Sequence, residues 1–244
     1  MTRKRTEPTP TQRKVNLDRC LVVGIASSAL FDLTESGAYF DEHGEAAYRD
    51  YQDERIEEPL APGVAFPFVK RLLGLNNLDD EDALVEVIVL SKNDPTTGLR
   101  VMRSLEHHKL PITRAVFTQG RAPYDYIEAL GMSLFLSAER SDVYAATLQG
   151  LPAGHVLPST AAYDDADEAV RVAFDFDGVL ADDASERVYK TKGLTPYLKT
   201  EAGSRDKALA PGPLQRLLAD LNVIQDREEA RRTLDISGSS QSRV

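Results

Sequence analysis

Five short apolar runs, separated by stretches of helical pattern, constrain the fold of this chain more than any other feature. They are Cys20 to Ile25, Val85 to Leu90, Ala115 to Thr118, Leu134 to Leu136 and Val170 to Phe174. Each is too short for a helix, and most are apolar on both faces, as expected of parallel strands covered from either side. Between them, Val64 to Leu73 sets Val64, Phe68, Val69, Leu72 and Leu73 on one stripe, while Tyr124 to Leu130 and Val143 to Leu148 show the same pattern more briefly. Strand and helix in alternation predict an α/β fold with a doubly wound parallel sheet, and function at the carboxyl ends of its strands.

A gapless internal repeat divides the chain. Moving the sequence by 149 positions lays Gly44 on Gly193, Tyr48 on Tyr197, and Leu60-Ala61-Pro62-Gly63 on Leu209-Ala210-Pro211-Gly212. The same shift superposes the Val22 to Ile25 run on Arg171 to Phe174, which makes duplication the better reading than chance recurrence of turn residues. Residues 17–160 then form a first copy and residues 170–226 the start of a second, with the acidic stretch 161–169 between them. Residues 1–16 read as a basic tail, and 227–244 as a frayed helix end and a Ser-rich tail.

The copies differ at the crest of their first strand. The second carries Asp175-Phe176-Asp177-Gly178-Val179 behind an apolar run; the first has Ala26 and Ser28 where the two acids stand. A carboxylate at a strand's carboxyl end can attack phosphorus and so split one displacement into two. A second carboxylate two residues on can protonate the leaving alkoxide and later activate water. Both acids would share Mg²⁺ as ligands, because an anionic nucleophile approaches a phosphate only when charge is neutralised. Asp175 and Asp177 are therefore the candidate catalytic and metal-binding residues, and the first copy reads as a scaffold without chemistry.

Weaker candidates lie in the first copy. Ser91, Lys92 and Asn93 follow a strand and could grip a phosphate, although Ser91 and Asn93-Asp94-Pro95 also read as a cap and turn into a helix. Leu134 to Ser137 ends in Ala138-Glu139, with alanine where a metal carboxylate would be expected. His107-His108 has no third ligand at metal-binding spacing and reads as a solvated helix end. Arg121 is an isolated base.

Charge and composition exclude several classes. A net charge of −10 argues against a nucleic-acid polymer or an anionic membrane as partner. The single cysteine, Cys20, excludes an internal disulfide and fits a reducing compartment. No apolar run reaches the ~20 residues of a membrane span, so a cytoplasmic protein is expected. Self-association into a homo-oligomer is compatible with all of this.

The segments Ile25 to Asp32, Leu90 to Arg100, Phe117 to Gly120, Leu134 to Ala138, Arg171 to Glu186 and Leu209 to Leu221 resemble the cytosolic type I 5'-nucleotidases, a family of the haloacid-dehalogenase-like superfamily. The resemblance implies a haloacid-dehalogenase-like core and Mg²⁺-dependent hydrolysis of nucleoside 5'-monophosphates, with Asp175 as nucleophile and Asp177 as acid/base. It also implies a later Thr-Ala-Arg strand end, a lysine and paired aspartates. These do not occur before Val244, so the second copy is expected to be incomplete and turnover slow. Phe176 and Gly178 stand closer to the general superfamily motif than to this family's Asp-Gly-Asp-Ala-Val. Two other readings remain: a non-catalytic nucleotide-binding or regulatory module, and a sugar-phosphate phosphatase of the same superfamily.

Overall fold

β1 (Leu21–Ala26) is buried at all six residues, as a strand at the centre of a sheet with both faces covered must be. In the computed structural model, which describes residues 13–161, 164, 166–175, 179, 193 and 212–241, β1 pairs in parallel with β2 (Val85–Ser91) and β4 (Leu134–Ser137). β3 (Arg114–Phe117) lies outside β2 and β5 (Ala153–His155) outside β4, giving the order β3-β2-β1-β4-β5. This is the doubly wound α/β sheet that the alternating pattern predicts. Leu21 stands opposite Val85 and Ile25 opposite Val89, so neighbouring side chains enter the same layer.

The two faces follow from the alternation along β1. Leu21, Val23 and Ile25 point into a core shared with α3 (Phe66–Gly74) and α4 (Pro95–His107); Val22 and Ala26 point the other way, towards Ile127, Met132 and Ala146 of α5 (Arg140–Leu148). The first face is completed over the amino ends of β4 and β1 by α6 (Gln215–Gln241), whose Leu217 and Ile224 are each only 5% exposed. Asp220 accepts a hydrogen bond from Ser133 at the start of β4, and Arg227 lies 3.9 Å from Asp79 before β2. Burial of two large aliphatic side chains contributes roughly 1.5–3 kcal/mol each. α6 is therefore part of the core beneath β1, and it continues well past Arg227, where a frayed helix end was expected.

Four of the five expected strands stand within a residue or so of their predicted places. The fifth does not: residues 170–174 form no strand, and Val170 and Phe174 instead pack against the first core. The reason is occupancy, because β1 already holds the central slot and has β2 and β4 on either side. β5 was missed because Ala153-Gly154-His155 is three residues long and has no β-branched side chain. His108, expected in solvent, bonds the Leu60 carbonyl at 2.8 Å and packs against Phe31 and Phe66. At the other end of the chain, Arg13 donates to the Asp79 carbonyl and Lys14 bridges to Asp82, so the last residues of the expected tail are pinned.

Between β1 and α3 the chain forms a cap. α1 (Ser27–Leu30) is one short turn, and α2 (Thr34–Glu54) contains two helical arms that meet at Gly44, where φ is 79° and ψ 179°. Only glycine takes that backbone without strain. The arms fold back on each other: Tyr39 stacks on Tyr51 at 4.3 Å, Phe40 meets Tyr48 edge-on at 5.3 Å, and the Tyr51 hydroxyl donates to Glu35 at 2.8 Å. Two features recur at the spacing of the sequence repeat. Gly193 has the same left-handed backbone as Gly44, with φ 83°, and α6 begins at Gln215 as α3 begins at Phe66.

Candidate functional site

The carboxyl ends of the five strands open into one cavity of about 1120 Å³, roofed by the α2 hairpin. β1 delivers Ser28 to it, β2 is followed by Lys92, Asn93 and Asp94, β3 by Gln119 and Gly120, β4 by Ala138 and Glu139, and β5 ends in His155. Phe40, Asp41 and Tyr48 hang from the cap. This is the place where open α/β sheets bind their ligands, because strand order reverses on either side of β1.

Local bonding fixes the floor. The Ser91 hydroxyl is buried, lies 3.0 Å from that of Ser27 and accepts the Asn93 amide at 3.2 Å, so it holds two strand ends together and does not line the cavity. Asp94 caps α4 by accepting from the Thr96 and Thr97 amides at 2.8 and 3.1 Å. Burial works against its ionised form, but the Thr97 amide and the Arg49 guanidinium outweigh it and hold the carboxyl below its ordinary value. Arg49, on the second arm of α2, bonds Asp94 at 3.0 Å and thereby ties the cap to α4. Gln119 adopts φ 51°, an uncommon conformation for a residue with a side chain; its amide bonds the Asn93 carbonyl and that of Gly120 bonds the Lys92 carbonyl. Gly63 is required for packing, since a Cβ there would lie 2.8 Å from the Phe31 carbonyl carbon and 2.9 Å from the Ala29 oxygen.

The charges here do not make a phosphate site. The Lys92 ammonium is 2.6 Å from the buried Asp142 carboxylate. Five acids line the cavity, namely Asp32, Asp41, Glu45, Asp94 and Glu139. Thr34 holds Asp32 below its ordinary carboxylate value through its hydroxyl and amide. Even so, among the described residues no group of three or more His, Cys, Asp or Glu is placed to hold a metal ion. Among the described residues the cavity therefore has no such cluster to hold Mg²⁺, and with Ala26 at the strand crest no carboxylate in the attacking position.

Among the described residues, the structure does not bring the candidates together. Lys92 and Asn93 line the cavity, Ser91 lies beneath it, and Asp175 is exposed on the non-strand segment and is not part of the lining. Asp177 lies outside the described residues. The segment carrying Asp175 is anchored on both sides: Arg71 bonds the Asp167 carbonyl at 2.6 Å, and the Leu214 amide bonds the Val179 carbonyl at 3.4 Å. Sequence reasoning missed the cap residues Phe40 and Asp41, although the helical pattern around Tyr39, Phe40 and Tyr51 was available to it.

The 5'-nucleotidase family matches residues 13–241, through the end of α6. The chain belongs to the 5'-nucleotidase family. A human relative, cytosolic 5'-nucleotidase 1B, is 30% identical over 216 residues, which is 86% of this chain and 35% of the relative. This 5'-nucleotidase family chain thus spans about a third of that relative's length. Among the described residues no helix is long and apolar enough to cross a membrane.

Proposed function

We propose that this chain serves Mg²⁺-dependent hydrolysis of nucleoside 5'-monophosphates, with Asp175 as nucleophile and Asp177 as acid/base. The observation that carries the reading is a family match that runs through the Asp-x-Asp segment to the end of α6. The recurrence of Gly44 as Gly193 and of the α3 start as the α6 start supports a second copy whose first strand would end at Asp175.

The chemistry follows from the two acids. An Asp175 carboxylate oxygen attacks phosphorus; the bond from phosphorus to the 5'-oxygen breaks, and Asp177 gives that oxygen its proton, releasing the nucleoside. Water then attacks the aspartyl-phosphate, Asp177 takes its proton, and phosphate leaves with Asp175 restored. Carboxylates are hard oxygen donors suited to Mg²⁺, whose charge would offset that of the phosphate. A cytoplasmic location fits the one buried free thiol, Cys20.

The test is phosphate release from AMP, IMP and glucose 6-phosphate, with Mg²⁺ and with EDTA, by the native chain and Asp175→Asn. The expected result is EDTA-sensitive release from the nucleotides that Asp175→Asn abolishes. Equal release from glucose 6-phosphate, or release that survives the substitution, would sink the reading.

A further inference from the structure

The cavity over the first sheet is large, formed by the cap and all five strand ends, and left without a role by the acids at 175 and 177. Its volume is about 1120 Å³, just above the range of about 300–1,000 Å³ that small-molecule pockets usually occupy. Three properties define what would fill it. The first is charge: five carboxylates line it against one lysine, which Asp142 already neutralises at 2.6 Å, and Arg49 is taken up by Glu45 and Asp94. Among the described residues, a phosphate dianion entering there gains no free cation and meets like charge. The second is an open aromatic face. Phe40 is 44% exposed although it lines the cavity, and its edge-on contact with Tyr48 fixes the ring while leaving surface for a planar ligand. The third is unused acceptors: among the described residues, the carboxylates of Asp41 and Glu139 make no hydrogen bond or ion pair, while the amides of Asn93 and Gln119 stand at the same mouth.

We infer that this cavity binds an uncharged nucleoside in preference to its 5'-monophosphate, the base against Phe40 and the sugar hydroxyls donating to carboxylates. Carboxylates that accept from ribose hydroxyls are a general device of doubly wound sheets at this position. The choice of a nucleoside among neutral planar ligands rests on the 5'-nucleotidase reading; the preference for neutral over anionic ligand rests on the cavity alone. The first copy is then a site for the product class of the reaction proposed for the second.

Titration calorimetry on the full chain in EDTA, with adenosine, inosine and AMP as probes, tests this without any turnover. A nucleoside is expected to bind at least tenfold more tightly than AMP at low salt, and the gap should narrow at high ionic strength as repulsion is screened. Phe40→Ala should weaken the nucleoside about fivefold or more, the scale of lost stacking on a base. Glu139→Gln, at an exposed position that does not hold the fold, should bring AMP closer to adenosine. AMP binding as well as adenosine, no nucleoside binding at about a hundredfold excess, or affinity unmoved by both substitutions would each overturn the inference. Because no step of the measurement uses Asp175, a failure of the phosphate-release assay leaves its outcome unchanged, and nucleoside binding without hydrolysis would retain the cavity while discarding the enzyme.

Discussion

The β1–β5 region and the Asp175 segment have opposite deficits. The first has a complete parallel sheet, a cap and a cavity, yet its strand crest carries Ala26 and Ser28 and no attacking acid. The second has the acid at Asp175, yet residues 170–174 join no sheet and place only Val170 and Phe174 against the core of the first. Reactive side chains and the scaffold that would position them are thus separable within one chain. A carboxylate becomes a nucleophile through what surrounds it, and a strand becomes a strand only where it has a free neighbour.

The largest effect expected is on the acid side of that comparison. Asp175→Asn retains the side chain's shape and removes its charge, and phosphate release from AMP or IMP should fall by about 10⁴-fold, as for other essential nucleophiles. Activity that persisted would shift the chemistry to the first copy and dissolve the contrast.

Next in size is the dependence of the sheet on α6. Leu217→Ala empties a site that is 5% exposed between α6 and β1, and urea unfolding should report a loss of about 2–5 kcal/mol in one transition. A separate early transition, with the rest of the fold unchanged, would make the copies independent units.

Asp94→Ala removes a helix cap and the anchor of Arg49 together, and should cost about 1–2 kcal/mol. The native chain should show the matching acid dependence. Because its folded-state carboxyl is held below the ordinary value of 3.8, Asp94 contributes stability that is present above that value and lost as pH falls through the lower folded one. An acid limb of the stability curve that is the same in Asp94→Ala would remove it from that role.

The smallest effect lies at high pH. Burial, chiefly, and the charges of Glu86 and Asp220 push the Cys20 thiol up from 9.0 to about 11. Its contribution is complete below pH 9 and declines as pH rises towards 11, and the folded chain should react with a thiol reagent at pH 8 far more slowly than the unfolded chain. Fast labelling of the folded chain would show that Cys20 is not held in the core with Val22, Ile127 and Met132.

Much of this was legible in the residues, and for local reasons. Val85 to Leu90 has no second solution, since a run apolar on both faces must be covered on both faces. The pairing of Asp94 with Pro95 announces a helix start by cap and missing donor, and α4 begins there. The repeat, read from Gly44 and Gly193, proved to mark two left-handed turns. What escaped was non-local. β5 draws its stability from Phe135 to Ser137 beside it and has no signal of its own. Val170 to Phe174 has every local property of a buried strand, and lacks only an unoccupied place in a sheet. Ser91 looked like a phosphate ligand until Ser27, distant in the chain, proved to occupy its hydroxyl at 3.0 Å.

By itself the sequence determined the fold class, the central strands, the absence of acids at Ala26 and Ser28 and the presence of one Asp-x-Asp segment, because each depends on residue type and spacing over a few turns of chain. The tertiary structure decided which apolar segment took the central slot, that α6 would serve the sheet, and that, among the described residues, the cavity would be lined by acids with Lys92 already paired. Those outcomes depend on competition between segments for the same neighbours and on the sum of charges brought together from five strand ends, and neither quantity exists until the chain has folded.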